Sequence, residues 1–298
     1  MSKEDIVLVA DSGSTKTDWI MSSQEYGIAE VRTSGINPVR DSRDAIFHVI
    51  TEELVPRLPS GCKPSVIYFY GAGCMQPYSH TVLQVLGSVF PVARAHVESD
   101  LLGAARALCG NRPGVACILG TGANSCLYDG HAILAHVPPL GYILGDEGSG
   151  AFLGKTLLGN VLKGIFPREM CEVFLYEHKL TEAEIIDRVY HQPQPNRFLA
   201  SLVPFVARHR DEGCVHAMLE ESFRLFFSRN VRAYAHPEMP VNFVGGVASA
   251  FARELEDAAH AEGMSVGKIL RRPIQELASY HNPEPRQARQ TEHFTKIC

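Results

Sequence analysis

The sequence predicts an α/β protein made of two related domains, each built on a mixed sheet. Three observations predict it. A short apolar run ending in a glycine-rich turn occurs twice, at residues 6–10 before Asp11, Ser12, Gly13 and Ser14, and at residues 115–119 before Gly120, Thr121, Gly122, Ala123 and Asn124. Each copy is followed by two further strand-like runs. Helical periodicity then alternates with single strands, the pattern of a mixed sheet covered by helices. A duplication of this length means two related domains rather than a solenoid.

The elements follow in order. Ile6, Val7, Leu8, Val9 and Ala10 make the first strand, and residues 16–21 and 28–33 read as the next two strands of a meander. From Asp41 the period changes, with Ala45, Ile46, Val49, Ile50 and Leu54 at helical spacing. A strand at 65–70, closed by Gly71, Ala72 and Gly73, leads into a helix over 78–90. Residues 92–97 form a further strand and 101–108 an Ala- and Leu-rich helix. The second copy starts at 115–119 and continues as strands at 125–128 and 132–137, around a turn at Asp129 and Gly130. A mostly helical insertion fills 148–234, residues 241–248 return to a strand with a Gly-Gly turn, and a final helix is expected over 266–280. The domain boundaries are therefore set at 1–113 and 114–265, with a closing helix at 266–281 packing back on the first domain. Residues 282–298, with two prolines and many polar side chains, read as a disordered tail.

Composition narrows the function classes. With 298 residues, 45% of them hydrophobic and 20% charged, the chain has the length for two cores and the balance of a globular protein. A net charge of −5 argues against a nucleic-acid surface. No apolar run reaches the roughly 18 residues of a membrane span, and Lys3, Glu4 and Asp5 precede the first strand in place of a signal peptide. The expected location is cytoplasmic, with neither nucleic acid nor membrane as partner. The eight cysteines contain no Cys-x-x-Cys pair, and the thirteen histidines are scattered, so no structural metal is expected. Cys117, inside an apolar strand, reads as a small buried hydrophobe.

The chemistry is carried by the two glycine turns. Glycine lets consecutive backbone N–H groups point at one anion, and small hydroxyl side chains add donors. One such turn is an ordinary hairpin. Two matched turns in a repeated plan point to a polyphosphate held between two domains. Neither a Walker-type Gly-x-x-x-x-Gly-Lys-Ser/Thr nor a strand-borne Gly-x-Gly-x-x-Gly is present.

Four segments stand in a familiar order: Asp11-Ser12-Gly13-Ser14-Thr15-Lys16-Thr17, Gly120-Thr121-Gly122-Ala123-Asn124, Gly145-Asp146-Glu147-Gly148-Ser149 and Val244-Gly245-Gly246-Val247. In this the chain resembles the BadF/BadG/BcrA/BcrD-type ATPase family, and within it the N-acetylglucosamine kinase branch of the actin-like, hexokinase-like superfamily. The resemblance reaches to about residue 281. It implies a two-domain actin-like (ribonuclease H-like) ATPase fold, with duplicated mixed sheets around a central nucleotide cleft, and ATP with Mg²⁺ as cofactors. It places the first phosphate loop at Asp11, Ser12, Gly13, Ser14, Thr15 and Lys16, with Thr15 donating to phosphate and Asp11 facing Mg²⁺ through water. It places the second loop at Gly120, Thr121 and Gly122, and the adenosine loop at Gly245 and Gly246. Asn37, Asp100, Gly141 and Asp146 match sugar contacts, with Asp100 as the general base. Their plainer readings are an Asn in a turn before proline, a helix N-cap at Asp100, and acidic residues complementing a helix N-terminus. Where the vertebrate-type enzyme has an aromatic residue after the matching Asn, this chain has Pro38 and Val39. The implied activity is phosphoryl transfer from ATP to a hydroxyl of a small sugar, with a homodimer as a common state.

Three other readings compete. A sugar kinase of the repressor-related type would carry a Cys-x-Cys-Gly zinc segment, which this sequence lacks. An activating ATPase of a 2-hydroxyacyl-CoA dehydratase would carry cluster-ligating cysteines in a Cys-Ala-Ala-Gly-Thr-Gly type segment, which this sequence lacks. A sugar or nucleotide sensor without turnover would show a DNA-binding helix-turn-helix or a lost catalytic Asp; here the sheet begins by residue 6 and Asp100 is present. The acceptor is left open among N-acetylglucosamine, N-acetylmuramic acid, glucosamine and other small molecules.

Overall fold

The structure, a computed structural model, describes residues 6–13 and 15–282; Ser14 and the segment 283–298, which holds nearly all of the expected tail, lie outside the described residues. Among the described residues, ten strands form two five-stranded sheets. The first contains β1 (Val7–Ser12), β2 (Lys16–Ser23), β3 (Gly27–Ser34), β4 (Val66–Gly71) and β5 (Arg94–Ser99), in the order β3-β2-β1-β4-β5. The second contains β6 (Gly114–Leu119), β7 (Ala123–Tyr128), β8 (Ile133–His136), β9 (Val241–Val244) and β10 (Val266–Leu270), in the order β10-β9-β6-β7-β8. Read from the other edge, this second order repeats the first. In both sheets the meander is antiparallel and the last two strands join in parallel. The duplication expected from the two glycine turns is thus present strand for strand.

β1 and β6 are central, buried on both faces, and their runs Val7-Leu8-Val9-Ala10 and Val115-Ala116-Cys117 are accordingly continuous apolar stretches rather than alternating ones. A helical insertion between β8 and β9 packs its apolar faces over the second sheet, and Phe174, Phe205, Phe223, Phe226 and Phe227 fill that core.

One expectation fails. The final helix does not begin at Val266: residues Val266–Leu270 are β10, paired in parallel with β9, and the helix spans Ile274–His281. Pro273 gives the reason. A helix running through it would lose a hydrogen bond and clash with the preceding turn, so proline starts this helix instead.

The closing helices change sides. Asp100–Cys109, which follows β5 of the first sheet, packs Leu101, Ala104, Ala105 and Leu108 against Ala116, Cys126, Tyr128 and Val244 of the second half. Ile274–His281, which follows β10 of the second sheet, packs Ile274 and Leu277 with Val7, Val9 and Ile20 of the first. The two helices also touch each other. The hairpins at Gly13 and at Gly120 to Gly122 lie at the ends of β1 and β6, central strands that border this crossed pair.

Candidate active site

The two hairpins are built alike. β1 turns into β2 through Gly13, whose N–H donates to the Lys16 carbonyl at 3.0 Å, and β6 turns into β7 through Gly120, whose N–H donates to the Gly122 carbonyl at 3.0 Å. Gly13, Thr15 and Lys16 are exposed. The second hairpin is fastened from behind: Gly150 and Ala151, opening the helix Gly150–Leu162, donate their N–H groups to the carbonyls of Gly120 and Thr121 at 2.8 and 3.0 Å. Two of the orphan donors of a helix N-terminus are thereby spent on fixing the loop, while Ser149 caps the same helix by accepting from the Phe152 N–H.

Ser12 has a different role from its loop neighbours. Its hydroxyl is fully buried, 2.7 Å from the Thr17 hydroxyl, and it both donates to the Ile36 carbonyl and accepts from the Ile36 N–H. The side chain ties the hairpin to the turn before Asn37, so only the backbone of Ser12 is left to face a ligand.

Asp11 stands at the end of β1, directly across from Asp18 on β2. Burial, with the nearby carboxylates of Asp100 and Asp18, pushes its carboxyl up to about 7. Asp18 itself is compensated by Arg32 at 2.6 Å, Arg272 at 3.7 Å and Lys16 at 3.8 Å. Lys16 therefore belongs to an ion cluster, and Asp18, Arg32 and Arg272 are neighbours of the site that motif reading missed. A carboxylate buried beside another carboxylate is a place a divalent cation would relieve, so Asp11 fits Mg²⁺. Among the described residues no group of three or more His, Cys, Asp or Glu is placed to hold a metal. The remaining ligands would be water and phosphate oxygens, as suits an ion that keeps its waters.

Asp100 occupies the first turn of its helix, but it is not the cap. Ser99 caps the helix through the Leu102 N–H, and Asp100 Oδ1 accepts from the Leu101 N–H at 2.9 Å. Burial pushes the Asp100 carboxyl up to about 6, with the Leu101 N–H pulling the other way. With the capping role taken by its neighbour, the N-cap reading of Asp100 fails.

Asn37 and Asp146 sit on turns that glycine makes possible. Asn37 Oδ1 accepts from the Val39 N–H at 3.1 Å, and its backbone N–H donates to Asp41 Oδ2 at 2.7 Å. The same Oδ1 lies where a Cβ on Gly73 (φ +77°) would be 2.4 Å away, so Gly73 must be glycine for Asn37 to hold its place. Asp146 adopts φ +55°, unusual for a residue with a side chain, and is held there by its N–H on the Pro139 carbonyl at 2.9 Å. Its Oδ1 accepts from the Ala123 N–H at 3.2 Å, and burial raises its carboxyl above the ordinary carboxylate value. Gly141, with φ +74°, opens the single helical turn Gly141–Leu144, where Ile143 and Leu144 are exposed. Glu147 is turned away, paired to Arg229 at 2.9 Å.

Gly245 and Gly246 divide their work. A Cβ on Gly245 (φ +134°) would lie 2.1 Å from the Leu119 carbonyl, whereas one on Gly246 would meet open space. The first glycine brings β9 against the second hairpin; the second leaves a bare backbone beside it.

No family model matches the chain, and no curated protein does. Solved structures do. A protein named "Putative N-acetylglucosamine Kinase" from Porphyromonas gingivalis is 46% identical, with 92% of this chain and 98% of that one covered and a TM-score of 0.88. A protein of the same name from Chromobacterium violaceum is 19% identical, with 93% and 99% covered and a TM-score of 0.71. A ROK family glucokinase from Streptomyces griseus, in complex with glucose and AMPPNP, is 15% identical, with 92% and 98% covered and a TM-score of 0.59. The last two likenesses are of fold. The two mixed sheets and their helices are those of the actin-like ATPases and sugar kinases.

Proposed function

The chain belongs to the family of the Porphyromonas gingivalis protein, and from that premise we propose that it is an ATP-dependent kinase of a small sugar, transferring the γ-phosphoryl group to a hydroxyl of an amino sugar, with N-acetylglucosamine as first candidate. The observation that carries the reading is the pair Asp11 and Asp100, two neighbouring carboxylates raised to about 7 and about 6, with Ser99 freeing Asp100 from capping.

Bound Mg²⁺ and ATP supply the phosphoryl group and the cation that screens its charge. The backbone N–H groups of the two hairpins, with the hydroxyls of Thr15 and Thr121, would hold phosphate oxygens. Asp11 would face the metal through its waters, and the bare Gly246 backbone would leave room for the adenosine. Asn37, Gly141 and Asp146 hold sugar hydroxyls. Asp100 accepts the proton of the attacking hydroxyl, since a carboxyl near 6 is ionised at neutral pH yet more basic than an ordinary carboxylate. The proposal extends to the BadF/BadG/BcrA/BcrD-type kinase branch and to a cytoplasmic homodimer. Among the described residues no helix is long and apolar enough to cross a membrane.

The test is a coupled ADP-release assay with and without Mg²⁺ over N-acetylglucosamine, N-acetylmuramic acid, glucosamine and plain hexoses. Mg²⁺-dependent release with an amino sugar is expected. Release with none of the sugars overturns the proposal, and release only with plain hexoses overturns the acceptor.

A further inference from the structure

A cavity of about 640 Å³ opens where the two halves join. Its lining includes Arg106 and Cys109 on the helix Asp100–Cys109, Arg112 in the linker to β6, Lys268 on β10, and Glu276 and Tyr280 on Ile274–His281. Asp100 starts the first of these helices and Cys109 ends it, which at ~1.5 Å per residue separates the cavity from the general base by most of the helix length.

The lining is cationic. Arg106, Arg112 and Lys268 face it against one acid, Glu276, which Lys268 already pairs with at 2.8 Å. Lys268 Nζ also reaches the Ala107 carbonyl at 3.5 Å and the Gly110 N–H donates to the Arg106 carbonyl at 2.9 Å, so the partial negative charge of the helix C-terminus is met from within. The Arg106 guanidinium is held in place: it lies over the rings of Tyr70 and Tyr280, 5.7 and 5.6 Å from their centroids, and Nη1 donates to the Tyr70 hydroxyl at 2.7 Å. Its Nε–H is buried with no acceptor. Unpaired buried donors cost free energy, so the Arg106 fork is incompletely satisfied by the protein itself.

We infer that this cavity is a second ligand site, taking a small dianion of the phosphate-monoester class. A rigid guanidinium fork with two further cations suits phosphate oxygens, and the volume holds more than the anion alone. The site is apart from the hairpins. Its walls come from both halves, so an occupant favours the spacing at which Arg106, Arg112 and Lys268 converge, and anything that changes the spacing changes its affinity in turn.

The test is a titration of the ¹⁵N-labelled full chain with inorganic phosphate, followed through backbone amide signals. Saturable shifts are expected at Gly110, Asn111 and Lys268, reduced at least tenfold in affinity by Arg112→Ala with Lys268→Ala. Arg112→Ala alone, at an exposed side chain, is expected to weaken them too, which guards against a double variant that does not fold. No shifts at these residues, shifts confined to Gly13 and Gly120 to Gly122, or shifts at Gly110 and Asn111 that survive both variants with unchanged affinity would overturn the inference. None of these readouts depends on kinase turnover.

Discussion

The Asp146 carboxylate accepts a hydrogen bond from the Ala123 backbone N–H at 3.2 Å, which fastens the segment matched to the acceptor sugar onto the hairpin matched to phosphate. Any shift of one must therefore be felt by the other.

A Cβ on Gly122 would lie 3.1 Å from Asp146 Oδ2, so Gly122→Val pushes on Asp146 as well as filling the hairpin. Calorimetry should show ATP affinity lowered at least tenfold, and the sugar KM should rise with it. Gly246→Val, where the added carbon meets open space, should lower nucleotide affinity alone and leave the melting temperature near wild type. Normal ATP affinity in a folded Gly122→Val protein would remove this hairpin from the site.

Asp100 and Ser99 are adjacent in sequence and separable in role. Asp100→Asn keeps the shape and loses the proton acceptor, so kcat should fall by about 10²–10⁴-fold with nucleotide affinity within twofold. Ser99→Ala removes the cap and should cost about 1 kcal/mol of stability with a much smaller effect on kcat. Equal effects of the two variants on kcat would contradict this assignment.

The raised carboxyls give stability and rate opposite dependences on pH. Asp11 and Asp100 are held at about 7 and about 6, above their unfolded value of 3.8, so the folded protein binds more protons than the unfolded chain between those limits. Their contribution to stability is complete below the unfolded value and is lost as pH rises through 6 and 7. Thermal melts of the metal-free protein should show Asp11→Asn gaining on wild type from about pH 5 to about pH 8. The rate should instead rise through an acid limb near 6 that disappears in Asp100→Asn. A variant-to-wild-type difference in melting temperature that does not grow with pH would contradict the assignment.

The two halves, joined by the linker after Cys109 and by the crossed helices, are expected to close on each other when both substrates bind. Scattering with sugar and a non-hydrolysable nucleotide together should give a smaller radius of gyration than the free protein, because closure expels water from around the reacting groups. An unchanged radius would count against a closing kinase.

Much of this was legible in the chain. The two apolar runs at 6–10 and 115–119 are continuous because β1 and β6 are central, and their glycine turns announce the hairpins. β10 was not legible. Val266, Gly267, Lys268, Ile269 and Leu270 carry a mixed pattern, and what makes them a strand is parallel pairing with β9, a partner outside any local window. Ser12 reads as a loop hydroxyl, yet its commitment to Ile36 depends on where the chain returns 24 positions later. In the cluster of Asp18 with Lys16, Arg32 and Arg272, strand alternation and the β2–β3 register connect the first three, but no local spacing connects them to Arg272 in the turn after β10.

The crossed closing helices also set a schedule for synthesis. The first sheet emerges from the ribosome early, but Ile274 and Leu277, which cover Val7, Val9 and Ile20, are made among the last residues of the described chain. Until then that face stays uncovered, and an N-terminal half cut at 113 would leave it so permanently while baring the Leu101, Ala104 and Leu108 face of its own last helix. Nascent chains therefore depend on late, long-range closure. The two halves are inherited as a repeat, but they fold as one.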